Sequence, residues 1–151
     1  MILPNGYHLS HDPADLQLEV IHAYLFRSYW SPGIPFHLVE KAVRNSLTVG
    51  AFDPSGAQVG FARMVTDHVS FGYLADVFVL EEHRGKGLGH ALVRALLDLP
   101  DVQGFRTVLL LTRDAHHLYE DCGFEWVQDP TSFMQIRRPG NYPPPLLEDG
   151  K

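Results

Sequence analysis

The sequence predicts an α/β (α+β) fold: a three-layer sandwich in which a mixed, mostly antiparallel sheet carries helices on both faces. Three observations lead there. Apolar residues recur at helical spacing in four stretches, and β-branched apolar runs bounded by turn residues lie between them. The elements follow the order β-α-α-β-β-β-α-β-α-β-β, so the helices must cover both faces of one sheet. At 151 residues the chain is one domain by length, and residues 1–138 are assigned to it.

A short strand near Tyr7 to Leu9 comes first. Asp12-Pro13-Ala14-Asp15 then starts a helix: Asp12 can cap, Pro13 suits the first helical position and Asp15 complements the dipole. Its apolar residues, Leu16, Val20, Tyr24 and Leu18, Ile21, Leu25, run to about Ser28. Ser31-Pro32-Gly33-Ile34-Pro35 breaks it, and Leu38, Val39, Ala42, Val43 and Leu47 mark a second helix. Thr48 to Phe52 and Gln58 to Thr66 flank the turn Asp53-Pro54-Ser55-Gly56 and predict an antiparallel hairpin. Asp67-His68 leads into a third long strand, Phe71 to Leu80.

Leu88, Ala91, Leu92, Ala95, Leu96 and Leu99 predict a helix that stops near Pro100. The continuous apolar run within Arg106 to Thr112 predicts a strand buried on both faces. Ala115 to Cys122 reads as a short helix ahead of Gly123, a natural C′ residue. Phe124 to Val127 and Phe133 to Arg138 are expected to close the sheet as an antiparallel pair. Pro139 to Lys151, with four prolines and no periodicity, reads as an extended or disordered tail.

Composition narrows the function. Apolar residues are 45% and charged residues 20%, as in ordinary globular chains. A net charge of −6 argues against a nucleic-acid surface, which needs clustered Lys and Arg. The single cysteine, Cys122, excludes an internal disulfide and suits a reducing compartment. The start, MILPNGYHLSHDP, lacks a secretion signal, and no stretch nears 18 uninterrupted apolar residues, so neither export nor a membrane is expected. The expected location is the cytoplasm. Nine histidines raise the question of a metal, but H-E-x-x-H and Cys/His clusters are lacking and none is expected.

Leu74 to Gly89, LADVFVLEEHRGKGLG, is the most informative segment. A buried-strand pattern breaks at Glu81-Glu82-His83 into Arg84-Gly85-Lys86-Gly87-Leu88-Gly89, which opens a helix. The first N–H groups of a helix lack intrahelical partners and carry the positive end of its dipole. Glycines let an anion approach them, and Arg84 and Lys86 add charge where a diphosphate would lie. A Walker loop fails because Gly87 follows Lys86, and a dinucleotide fingerprint fails on the G-x-G-x-G spacing.

Arg-x-x-Gly-x-Gly after a strand ending Val-x-Val resembles motif A of the GNAT superfamily of acetyl-CoA-dependent N-acetyltransferases. Thr112 to Phe124 resembles a second segment of that family, N-x-x-A-x-x-L-Y-x-x-x-G-F. Ala115, Leu118, Tyr119, Gly123 and Phe124 match it, while Thr112 replaces the asparagine. The resemblance implies a GNAT-like sandwich and acetyl-CoA as co-substrate. It implies that Arg84, Gly85, Lys86, Gly87, Leu88 and Gly89 hold the pyrophosphate and that Val77, Phe78 and Val79 pair with the pantetheine arm. Thr112 and Ala115 would touch that arm, and Tyr119 would protonate the departing thiolate. Val79 is the candidate main-chain oxyanion donor.

By alternation Val77 and Val79 share one strand face and Asp76 and Phe78 the other, unless a bulge changes the phase. Asp76 is then a base, a site for a cationic acceptor, or a solvated or salt-bridged carboxylate. Glu81 and Glu82 read as surface charge. The resemblance puts acceptor recognition partly on Tyr24, Tyr29, Trp30 and Pro32 to Phe36, with core packing the simpler reading of Tyr24. His116 and His117, beside Tyr119, are open to a part in proton transfer, with favourable charge near a helix end the simpler reading.

The expected reaction is direct acetyl transfer to a small-molecule, peptide or protein amine. A non-catalytic acyl-CoA sensor and a transferase of longer acyl groups are the alternatives, and a homodimer is left open.

Overall fold

The computed structural model describes residues 1–140 and 142. Its five-stranded sheet has the order β1 (His8–Ser10), β2 (Leu47–Phe52), β3 (Gln58–Thr66), β4 (Phe71–Val79), β5 (Thr107–Leu110). The first four strands are antiparallel and β5 lies parallel to β4. Helices α1 (Leu18–Phe26) and α2 (Phe36–Arg44) cover one face. There Ile21, Leu25, Val39 and Val43 enclose Phe61 and Phe78 of the sheet. Helices α3 (Leu88–Leu97), α4 (Pro100–Gln103) and α5 (His116–Asp121) follow in the second half of the chain. Leu88, Leu92, Val93 and Leu96 of α3 pack on Val49, Ala62, Met64 and Leu74 of the other face. Each fully buried leucine there contributes about 1.5–3 kcal/mol by removal from water. This is the expected three-layer α/β sandwich with helices on both faces.

Pairing between β4 and β5 runs only from Phe71↔Thr107 to Leu74↔Leu110. Past Leu74 the two strands part, and that gap positions the site.

Several expected elements differ. The first helix is split into a 3-10 turn, Pro13–Asp15, and α1. Leu16 and Gln17 are extended between them, because Gln17 and Gln58 exchange two hydrogen bonds of 2.7 and 3.0 Å that tie the chain to β3. The closing pair at 124–127 and 133–138 does not form. Asp129-Pro130-Thr131-Ser132 makes a capped 3-10 turn instead, and a two-strand hairpin without a sheet to join is marginal. Among the described residues the strand after α4 is therefore an edge, half-buried rather than buried on both faces, and Leu111 is exposed. Of the expected tail, Asn141 and residues 143–151 lie outside the described residues. Among the described residues, no helix is long and apolar enough to cross a membrane.

Candidate active site

The site begins with a fault in β4. Phe61 pairs with Phe78 and Arg63 with Ala75, so Asp76 and Val77 together oppose Ala62. The extra residue is a bulge, and Asp76 takes a left-handed φ of 54°. The bulge reverses the alternation. Leu74 packs on the α3 side, and so do Val77 and Val79, while Phe78 is buried against α1.

Asp76 points to the α1–α2 side. Its Oδ2 accepts from Arg63 Nε at 2.5 Å and its Oδ1 from Trp30 Nε1 at 2.8 Å. Arg63 Nη1 also donates to Ser46 Oγ. The ion-paired side chains are 9% and 18% exposed, so water screens the pair little. Tyr73 lies nearby, its pKa raised by burial and then by the charge of Asp76.

Main-chain groups line the β4 side of the gap. The Leu80 N–H donates to the Val59 carbonyl across the β3 side. Alternation therefore turns Val79 and Val77 the other way, toward the gap. The Val79 carbonyl is engaged there by Arg84 Nε at 3.1 Å.

At the mouth of the gap, Glu81–His83 forms a 3-10 turn and the glycine loop follows. Gly85 and Gly87 have φ of 77° and 76°, and no atom lies within 4 Å of where a Cβ on either would sit. Gly87 caps α3 without a side-chain acceptor, so the first N–H groups of α3 face open space. Arg84 reaches back to the Tyr24 hydroxyl at 2.9 Å. Glu81 clamps Arg27 of α1 through bonds of 2.6 and 3.0 Å, which pull its carboxyl down to about 2.

On the far side, Thr112 Oγ1 accepts from the Ala115 N–H and turns the chain into α5. Leu118 packs near Gly89, setting α5 against the first turn of α3. Tyr119 lies edge-on to Phe124, their ring centroids 5.8 Å apart. Burial first, then the nearby Tyr29 hydroxyl, pushes its phenol up to about 12. A phenol so shifted keeps its proton at neutral pH. One cleft of about 1430 Å³ joins Gly85, Gly87 and Leu88 to Tyr119 and onward to Tyr29, Trp30 and Asp76.

The model of the Acetyltransferase (GNAT) family matches residues 14–124. The chain belongs to the GNAT acetyltransferase family. A Gibberella zeae protein named "Putative acetyltransferase FG08082" is 35% identical, the match covering 75% of each chain. A crystal structure of a "putative acetyltransferase belonging to the gnat family" from Xanthomonas campestris pv. campestris is 44% identical. That match covers 89% of this chain and 94% of the other, with a TM-score of 0.85. Glucosamine-6-phosphate N-acetyltransferase from Arabidopsis thaliana shares the fold, with a TM-score of 0.63, 17% identity and 89% and 99% coverage.

In this GNAT chain the cleft brings together Asp76, Val77, Phe78, Val79, Arg84, Gly85, Gly87, Leu88, Gly89, Thr112, Ala115, Tyr119, Tyr29 and Trp30. Phe78 borders it through its main chain, since its side chain is buried below Tyr24 with ring centroids 4.1 Å apart. Lys86 is exposed and lies outside the lining, as do Pro32 to Phe36. Tyr24 does two things: its ring packs in the core and its hydroxyl holds Arg84. His116 stacks on Trp126, away from the cleft. Sequence reading missed Arg63, Arg113, Gln135 and Arg137, which also line it. Arg113 sits over the Tyr29 ring at 3.8 Å, a cation–π contact with no local sequence signal.

Proposed function

We propose that this GNAT chain is an acetyl-CoA-dependent N-acetyltransferase acting by direct transfer to an amine in a ternary complex. The observation that carries this reading is the single cleft joining the open end of α3, the N–H edge of β4 and the Tyr119 hydroxyl. The residues fit the cofactor. Space in front of Gly85 and Gly87 admits a diphosphate to the α3 amides, with Arg84 beside it. When bound, acetyl-CoA supplies an acetyl group activated as a thioester.

The N–H groups of Val77 and Val79 pair with the pantetheine amides and stabilise negative charge on the reacting carbonyl oxygen. Tyr119 gives its proton to the leaving thiolate, and the raised pKa keeps that proton in place at neutral pH. Asp76 already accepts one bond on each oxygen, which supports a positioning part: it holds Trp30 and the bulge while the amine loses its proton to water in the open cleft. The acceptor lies against Tyr29 and Trp30. A reducing, cytoplasmic setting fits the lone thiol of Cys122.

The test is thiol release from acetyl-CoA against a mixed panel of amines. Amine-dependent release is expected, and Tyr119→Phe lowers kcat by about 10²–10⁴-fold with CoA affinity unchanged. Slow hydrolysis that no amine accelerates would favour an acyl-CoA sensor, and faster release from longer acyl-CoAs would reassign the donor.

A further inference from the structure

The chain carries a net charge of −6, but its cleft does not share that sign. Five arginines line it against two aspartates, with no lysine or glutamate among the described residues. Arg27 and Arg84 belong to the glycine-loop end, where Glu81 and Tyr24 hold them. Arg63, Arg113 and Arg137 remain for the end that holds Tyr29 and Trp30. The Tyr142 hydroxyl donates to the Pro32 carbonyl at 3.0 Å, which brings the segment after Arg137 to the loop that follows Trp30. A cleft lined by one sign of charge concentrates ligands of the other.

The three arginines stand differently toward a ligand. Arg63 is engaged by Asp76 and Ser46, and the Asp76 carboxylate accepts a bond on each oxygen, so that pair neutralises itself. Arg113 sits over the Tyr29 ring at 3.8 Å, and Tyr29 stands edge-on to Trp30 with ring centroids 5.0 Å apart. A guanidinium held over a ring keeps N–H groups at its edge for a planar anion. Its ion-pair contact among the described residues is Asp114 at 3.9 Å, and with the side chains 65 and 70% exposed water screens that contact. Arg137 lines the cleft and makes neither an ion pair nor a hydrogen bond among the described residues.

Tyr29 also neighbours Tyr119, whose phenol burial and then the Tyr29 hydroxyl push up to about 12. The cationic patch therefore adjoins the reacting end of the cleft. A second positive charge on an acceptor would meet Arg113 and Arg137 with the screened Asp114 to offset them.

Given the acetyl transfer proposed for this cleft, we infer that the acceptor is a small amine carrying a carboxylate or phosphate, with Arg113 and Arg137 holding that anion and Tyr29 and Trp30 flanking it. The wall from Arg113 through Tyr29 and Trp30 to Asp76 is built before the acceptor arrives, which spares the cost of ordering it on binding.

Thiol release from acetyl-CoA tests this with matched amines: amino acids against their amides, and phosphoethanolamine against ethanolamine, with spermidine as the polycation. In each pair the acid-free amine loses its proton more readily, so a preference for the acid does not come from amine basicity. One acid is expected to exceed its partner by about a hundredfold in kcat/KM, the gap narrowing at high salt, and the pair that shows it tells carboxylate from phosphate. Arg113→Gln and Arg137→Gln each lower that preference about tenfold, as for loss of a charge-assisted hydrogen bond, with the change falling on acceptor KM. Both side chains are exposed, so the variants keep the parent's circular dichroism. Equal use of acid and partner, better use of spermidine, or a preference that both variants keep overturns the anion pocket while amine acetylation stands. Hydrolysis that no amine accelerates overturns the pocket together with the transfer itself.

Discussion

Replacing Gly87 separates backbone strain from anion binding. Gly87 has φ of 76°, and an added Cβ would meet nothing within 4 Å. The penalty of Gly87→Ala is thus conformational, about 1 kcal/mol for a left-handed non-glycine residue. In a chain of this length that lowers Tm by about 2–4 °C. Gly87→Glu adds the same strain and a negative charge at the mouth of α3. With an effective dielectric near 20 and a separation of about 5 Å, repulsion of one phosphate charge is about 3 kcal/mol, on the order of a hundredfold in Kd. Calorimetric titration with CoA, alongside thermal melts, reads both quantities. The two variants are expected to melt together and differ in CoA affinity by about a hundredfold, the gap narrowing at high salt. Equal affinities in the glutamate and alanine variants would refute a diphosphate at this helix end.

Tyr119 is raised from 10 to about 12, so its stabilising contribution is present below pH 10 and lost as pH rises through 12. A kcat profile without a falling limb before about pH 10 is expected; a limb near pH 8 that disappears in Tyr119→Phe would contradict it. Asp76→Ala strands Arg63 in a largely buried place and costs about 3 kcal/mol or more. It lowers Tm by roughly 6–12 °C and shifts Trp30 emission to the red, read in a Trp126→Phe background; a melt within 2 °C of the parent would dismiss the pair as structural. Glu81 sits at about 2 instead of 4.5, so its clamp on Arg27 is intact above pH 4.5 and is lost as pH falls through 2. Melting temperature should fall more steeply over that window in the parent than in Arg27→Ala, and parallel curves would remove the clamp from acid stability.

What sequence reading recovered, it recovered where chemistry is local. The turn Asp53-Pro54-Ser55-Gly56, the glycines before α3 and the stripe Leu88, Leu92, Leu96 each act within a few residues, and the structure has the hairpin, loop and helix there. The β4 bulge was anticipated only as a condition, because one extra residue is visible only against its partner strand. Arg63 was invisible for the same reason. It meets Asp76 through the β3–β4 register, 13 residues away in sequence. The missing closing pair has a different origin: Phe124 to Val127 and Phe133 to Arg138 carry strand-forming residues, but pattern alone does not say that the 3-10 turn Pro130–Ser132 lies between them and that neither joins the sheet. Glu81 read as bare surface charge, and only the packing of α1 beside the turn reveals its partner.

The wedge between β4 and β5 presents peptide groups, so the side chains at 77 and 79 are turned into the packing below. Recognition written in the main chain is insulated from most point changes: a valine exchanged for isoleucine or threonine leaves the same donor in the same place. Proline alone among the encoded residues would erase it. Exchanges in the buried layer therefore leave those donors in place, and the aromatic and arginine side chains at the opposite end of the cleft are the part of its lining that substitution alters directly.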